Sequence, residues 1–116
     1  KLVGVNLQET NLNYSACNGA RFYHCDGTGL RAEESEFKDA KFYRCELSSA
    51  LFQHSNLTKA NFTHCSAVGA IFQDCCVERT VLGHIEQGQI YQSNCSEDEE
   101  DWFVAEQGIE GNPAIR

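Results

Sequence analysis

Residues 40–64 read AKFYR CELSS ALFQH SNLTK ANFTH, five consecutive pentapeptides with a small or thiol-bearing first residue and Phe or Leu in the centre. The same spacing extends from Leu2 to Leu82, where twelve of seventeen central positions are Leu or Phe. Six of the seven phenylalanines share this phase, whereas roughly one in five would by chance. Because a period of five suits neither a single helix nor a single strand, the pattern indicates stacked repeat units.

A longer period of twenty residues appears in ARFYHC, AKFYRC and ANFTHC, which begin at residues 20, 40 and 60. If four pentapeptides form the sides of a square coil, residues twenty positions apart stack on one another. Two predicted inward columns are the apolar column Leu2, Phe22, Phe42, Phe62 and Leu82 and the thiol column Cys25, Cys45 and Cys65. With coils ~4.8 Å apart, the repeat region makes a short rod of about four and a half coils.

Several pentapeptides follow one pattern, which is a small residue, then Asn or Asp, then Leu or Phe, then two polar residues. The best matches are Thr10-Asn11-Leu12, Ser55-Asn56-Leu57 and Ala60-Asn61-Phe62. In this pattern the chain resembles the pentapeptide repeat family over about residues 1–92. The resemblance implies an all-β fold, a right-handed quadrilateral β-helix with one pentapeptide on each side.

The charge divides the chain into a repeat β-helix, residues 1–95, and an acidic C-terminal segment, residues 96–116. The net charge is −8, but residues 97–116 hold seven acidic residues against Arg116 alone. Residues 1–96 hold ten acidic residues against eight Lys or Arg, so the predicted rod is nearly neutral.

The acidic segment also carries the signals of a helix. Ser96 and Glu99 form a capping-box pattern, and Gly108 is placed to end the helix. Trp102 and Phe103 would provide an apolar side, so we predict a short capping helix that covers the last coil. The alternative interpretation of the same side chains is a contact between two copies of the chain, or a hinge into a following domain.

One stretch departs from the repeat. Gly27 and Ala32 occupy successive central positions and would leave voids, whereas Leu30 is large for its position. The favoured interpretation is that Leu30 fills the voids. The alternative is that Gly27 and Gly29 mark a bulge or a loop that projects from the coil.

Seven cysteines raise the question of disulfides or a metal site. The thiol column lies at a position that points inward like Ala, so we expect reduced, buried thiols there. Cys76 lies outside that phase and is the candidate for an exposed thiol. Because the histidines are expected to point outward, away from the thiol column, the sequence predicts no metal site.

No catalytic motif is present in the sequence. It has no phosphate-binding Gly motif, no nucleophile elbow and no carboxylate pair whose placement in a cleft can be argued. A filled β-helix has no interior cavity, so we expect neither catalytic residues, nor enzymatic activity, nor a cofactor.

The compartment is argued from what the sequence lacks. It has no transmembrane run and no signal peptide, which favours the cytoplasm. The chain begins in repeat phase without Met, so we expect a piece of a longer protein, delivered into a host cytosol if that protein is an effector. A eukaryotic lumen is the alternative, because Asn13, Asn56, Asn61 and Asn94 each begin an N-glycosylation sequon.

The twenty-residue period also predicts one patterned surface. It stacks basic and aromatic residues that are typical of interface hot spots, and we take as partner-binding candidates Arg21, Tyr23, His24, Lys41, Tyr43, Arg44 and His64. His84 would continue the histidine positions of this stripe. The alternative is a solvated face, neutralised by Asp26, Glu46 and Glu86, which follow the stripe by two residues.

These observations predict a non-enzymatic protein-binding or scaffold module. The family resemblance implies recognition or spacer rods in larger bacterial effectors, and the C-terminal segment adds a candidate homodimer contact. The alternative function implied by the resemblance is a DNA-mimicking regulator of DNA gyrase, a type II topoisomerase, as in the quinolone-resistance pentapeptide proteins. The rod is short and nearly neutral, which argues against that alternative. Binding of nucleic acid would need a larger positive excess than this rod has.

Overall fold

The structure, a computed structural model, describes residues 1–83 and 90–93. Over these residues the chain is an all-strand parallel β-solenoid of about four turns, which confirms the predicted β-helix. The strands are β1 (Leu2–Val3), β2 (Arg21–Tyr23), β3 (Arg31–Glu33), β4 (Lys41–Tyr43), β5 (Leu51–Gln53), β6 (Asn61–Thr63), β7 (Ile71–Gln73), β8 (Val81–Gly83) and β9 (Tyr91–Ser93). They form two parallel sheets, in the orders β1-β2-β4-β6-β8 and β3-β5-β7-β9.

The register confirms four pentapeptides per coil. Phe22 pairs with Phe42 and Phe42 with Phe62, each twenty residues further along the chain. The two sides without strands are joined by single bridges such as Asp26 to Glu46, again twenty residues apart. The four sides are face 1 (residues 1–4, 21–24, 41–44, 61–64 and 81–83), face 2 (6–9, 26–29, 46–49 and 66–69), face 3 (11–14, 31–34, 51–54, 71–74 and 91–93) and face 4 (16–19, 36–39, 56–59 and 76–79).

The central residues of the pentapeptides stack as flat rings inside the rod. Phe22 and Phe62 lie parallel to Phe42 on either side, each with ring centroids 4.7 Å away. Phe52 and Phe72 stack in the same way at 5.0 Å on the opposite wall. All five rings are buried, so the apolar columns form one continuous core.

The first residue of each pentapeptide also points inward, and at several of these positions a thiol or hydroxyl donates to a main-chain carbonyl. The Cys45 thiol donates to the Phe22 carbonyl oxygen at 3.2 Å, and the Thr80 hydroxyl donates to that of Leu57 at 2.7 Å. Because buried polar groups require partners, this geometry explains why thiols and hydroxyls recur at a core position.

The predicted placement of the thiols is confirmed. Cys25, Cys45 and Cys65 are buried, and Cys76 is exposed. The neighbouring Cys45 thiol and burial raise the pKa of Cys65 above its usual range. A buried, protonated thiol such as that of Cys65 is a poor nucleophile.

Each face ends at a residue with left-handed backbone. The sixteen corner positions from Gly4 to Arg79 all have positive φ, and twelve of them are not glycine. At His24, φ is 56°, and its N–H donates to the Tyr43 carbonyl oxygen at 2.9 Å. Such conformations are unfavourable for L-residues, so the hydrogen bonds between coils must hold them in place.

The irregular stretch continues the coil, and the alternative of a bulge or projecting loop is wrong. Leu30 is 1% exposed and packs into the space beside Gly27, while β3 resumes directly after it. A Cβ built on Gly27 would lie 3.0 Å from Leu47 Cδ2, because the leucines already occupy its place. Gly29 (φ +73°) holds an ordinary corner position, so it marks no departure from the coil.

Candidate protein-interaction surface

All seven predicted surface residues lie on face 1. Strand alternation sends Phe42 inward and its neighbours Lys41 and Tyr43 outward, and the parallel register stacks the same residue types on β2. The corner residues His24, Arg44 and His64 complete the surface and are exposed. His84, which would extend it, lies outside the described residues.

The aromatic rings of face 1 form a contiguous cluster around Tyr43. The Tyr43 ring meets the Tyr23 ring edge to face, with centroids 6.0 Å apart. The His24 ring lies 6.0 Å from it and the His64 ring 5.8 Å, both nearly perpendicular. Because these contacts link three successive coils, the cluster presents a preformed surface.

Two cations lie over these rings. Arg44 Cζ is 5.4 Å from the centroid of the Tyr43 ring, and Lys1 Nζ is 5.1 Å from that of Tyr23. A hydrogen bond with the Tyr43 side chain raises the pKa of Arg44, so this guanidinium stays charged. Lys1 was not among the predicted residues, although it precedes Arg21 by twenty positions and so belongs to the same column.

The side chains enclose a shallow groove of about 410 Å³ that is open to solvent. It is lined by Lys1, Val3, Tyr23, His24, Lys41 and Tyr43. Val3 is 58% exposed and was also missed from the sequence, although it pairs in register with Tyr23. The groove therefore has apolar, aromatic and cationic walls within one face.

The charges of the rod are segregated by face. Within the residues that the structure describes, face 1 holds four cations and no carboxylate, and the four are Lys1, Arg21, Lys41 and Arg44. Face 2 holds three acidic residues and no Lys or Arg over its described positions. Face 4 is balanced, with three acidic and three basic residues.

Among the described residues, neither Asp26 nor Glu46 forms an ion pair with Arg21, Lys41 or Arg44. A contact of this kind lies on face 3, where His54 Nε2 is 3.5 Å from Asp74 Oδ2. The Asp26 carboxylate instead accepts hydrogen bonds from Gln8 and Thr28, which lower its pKa. Asp26 is therefore engaged away from the stripe, and Glu86, the third acidic residue of the alternative, lies outside the described residues.

Several predictions lie beyond the described part of the chain. The capping helix, the boundary between residues 95 and 96, and the contacts assigned to Trp102 and Phe103 all fall there. Within the residues described, no three His, Cys, Asp or Glu side chains group together as metal ligands would. The described segments also contain no helix of the length and hydrophobicity that a membrane span needs.

The profile of the pentapeptide repeat family matches residues 1–29 and 45–83, in eight copies. The chain belongs to this family. Between the two matched ranges, residues 30–44 begin within the irregular stretch, where Leu30 and Ala32 depart from the pattern while the coil continues. A search of curated proteins found no significant match.

Solved structures with the same fold include QnrB1, a plasmid-mediated fluoroquinolone resistance protein, with a TM-score of 0.64 and 22% identity. The match covers 81% of this chain and 51% of QnrB1, so the chain spans about half its length. HetL from the cyanobacterium Nostoc matches with a TM-score of 0.49 and 19% identity, over 82% of this chain and 40% of HetL. A pentapeptide repeat protein from the Arabidopsis thaliana thylakoid lumen matches with a TM-score of 0.49 and 13% identity, over 95% and 70% of the two chains.

Proposed function

We propose that this chain is a non-enzymatic protein-binding module that presents face 1 to its partner, as the recognition or spacer part of a larger, effector-type protein. The observation that carries the proposal is the cluster of four cations and two tyrosines on a face without a described carboxylate. Tyr and Arg are the residue types that most often dominate binding energy at protein interfaces. Repeat rods commonly bind through such extended surfaces.

The core supports a binding role over a catalytic one. The rings and small side chains fill the inside of the coils, and the void beside Gly27 measures only about 10 Å³. Face 1 has an open groove, which suits contact with another surface better than the enclosure of a substrate.

The proposal is tested by replacing the centre of the aromatic cluster. Tyr43→Ala combined with Arg44→Ala should abolish the capture of partners that the wild-type chain retains from lysate. The matched control is Gln53→Ala with His54→Ala, which changes the equivalent repeat positions on face 3 and should leave capture intact. Thermal midpoints of both variants report whether the rod stays folded.

Two results would contradict the proposal. If the face 1 variant unfolds, the aromatic cluster is part of the structural framework. If both variants fold and capture the same partners as the wild type, the interaction surface lies on another face or in the C-terminal segment.

The compartment and the oligomeric state are part of the same proposal. We place the module in a cytosol, its own or that of a host cell, with a eukaryotic lumen as the alternative. A homodimer through Trp102 and Phe103 would show a doubled mass by light scattering, and Trp102→Ala with Phe103→Ala would return the mass to that of one chain. A wild-type mass of one chain would contradict the dimer.

The second candidate is a DNA-mimicking regulator of DNA gyrase. The likeness in fold to QnrB1 and the acidic face 2 favour it, whereas the four cations of face 1 oppose the mimicry of a polyanion. The test is gyrase supercoiling in the presence of a fluoroquinolone. If the purified chain protects supercoiling from the drug, the result supports this candidate. If it gives no protection, the protein-binding module remains the proposed function.

A further inference from the structure

On the basis of the proposed function, we infer that the partner of face 1 is an extended, acidic protein segment that lies along the rod axis. The charges of face 1 favour such a partner. Arg21 and Lys41 are direct register partners, and Lys1 precedes Arg21 by the same twenty residues. Like charges placed opposite one another on neighbouring strands are destabilising, and no described carboxylate compensates them. A carboxylate-rich partner would remove that repulsion on binding.

The shape of the groove favours a narrow, extended chain. The cation column and the tyrosine column lie two residues apart on the same strands, or ~6.6 Å. The column from Lys1 to Lys41 spans three coils, or ~10 Å, which about three residues of extended chain cover. A narrow peptide along the axis can place carboxylates on the cations while its backbone or apolar side chains contact Tyr23 and Tyr43.

The aromatic rings of face 1 favour an acidic peptide over a nucleic acid. Proteins that bind single strands need aromatic faces on which bases can stack. Here the rings already contact side chains of the protein, which leaves less of their faces for bases. Lys1 lies over the Tyr23 ring and Arg44 over the Tyr43 ring, and His24 and His64 pack against Tyr43. The acidic residues of face 2, around the corner, would also repel a polyanion wider than face 1.

The experiment measures fluorescence anisotropy of a labelled synthetic peptide, GEDEEDG, with the full chain. The amide analogue GQNQQNG and an oligothymidylate serve as the other probes. We expect the acidic peptide to bind at least about tenfold more tightly than either, and binding to weaken as salt rises from about 50 mM to about 500 mM.

Matched variants locate the site. Arg21→Gln with Lys41→Gln removes two cations from face 1, and Lys38→Gln with Lys59→Gln removes two from face 4, so the net charge changes equally. We expect the first pair of substitutions to weaken binding of the acidic peptide about tenfold. The second pair should change the affinity for this peptide by less than about twofold. Equal losses in both variants would overturn the assignment to face 1.

Other occupants are outcomes of the same experiment. Tighter binding of oligothymidylate than of the acidic peptide would overturn a protein partner. The amide variant of the C-terminal acidic run is Glu97→Gln, Asp98→Asn, Glu99→Gln, Glu100→Gln and Asp101→Asn. If that variant binds the acidic peptide more than about tenfold more tightly than the wild type does, the C-terminal acidic run already occupies face 1. That result would overturn an external partner.

Failure of this inference is distinguishable from failure of the proposed function. If Tyr43→Ala with Arg44→Ala loses the captured partner but the acidic peptide does not bind the wild type, face 1 remains the interaction surface. The acidic chemistry of the partner is then wrong.

Discussion

Alternate residues of β2, β4 and β6 form two columns with opposite properties. The inward column of Phe22, Phe42 and Phe62 is uniform along the rod, and its parallel rings stack at 4.7 Å. The outward column beside it changes from Tyr23 and Tyr43 to Thr63. The rings of the inner column have to match the coil spacing, whereas the side chains of the outer column are free to vary. A cluster of charged or aromatic side chains on the outside is therefore informative about function.

The largest difference that we predict between inside and outside is in thiol reactivity. Cys65 should react with iodoacetamide at least about a thousandfold more slowly than Cys76, because its alkylation requires the coil to open. Mass spectrometry after brief exposure measures both rates. In denaturant the two rates should converge, and similar rates in the folded protein would contradict the inward register.

Removing one ring from the inner column should be the most destabilising single change. Phe42→Ala leaves a cavity between two stacked rings, and we expect a loss of ~3–5 kcal/mol in the free energy of unfolding. The outward Gln53→Ala is the control and should cost less than ~0.5 kcal/mol. Denaturant unfolding measures both, and equal losses would show that the two columns are not distinct.

The corners lie between the two columns, and their backbone conformation predicts an intermediate effect. Gly29 has φ +73°, which a β-branched residue tolerates poorly. Gly29→Val should cost ~1–2 kcal/mol, whereas Gly29→Asn should cost clearly less, because Asn adopts this conformation more readily. Equal midpoints for the two variants would contradict a strained corner.

The smallest predicted effect is a gain in stability on face 1. Arg21→Gln with Lys41→Gln removes stacked like charges and should raise the free energy of unfolding by a few tenths of a kcal/mol at low salt. The gain should vanish at high salt, where the repulsion is screened. A loss of stability would show that these cations help to hold the rod together, which would weaken their assignment to binding.

The fold could be predicted almost completely over the described residues. The phase of Leu and Phe identified which side chains are buried, and the twenty-residue period identified their register. Leu30 is one example. Its size predicted that it fills the space beside Gly27, and in the structure its side chain is 1% exposed. These predictions succeed because each coil packs only on its neighbours, so local periodicity specifies the contacts.

The sequence predicted that the candidate residues share one face, but it did not predict how they are organised there. The period placed Arg21, Tyr23, Lys41 and Tyr43 together, yet it left open whether Asp26 and Glu46 neutralise them. Lys1 and Val3 were missed, although they precede Arg21 and Tyr23 by twenty positions. Side chains two positions apart across a corner can meet or diverge, and the sequence does not contain that angle.

The sequence by itself determined the repeat, the register and the inward or outward direction of each side chain, because period and burial follow from the same alternation of residues. Only the tertiary structure decided that each face ends in a left-handed corner, that Asp26 turns to Gln8 and Thr28, and that the face 1 rings meet around Tyr43. The physical reason is that these features depend on distances between side chains of different coils and faces. A one-dimensional pattern predicts which residues are neighbours, but the orientation of the neighbours arises from packing in three dimensions.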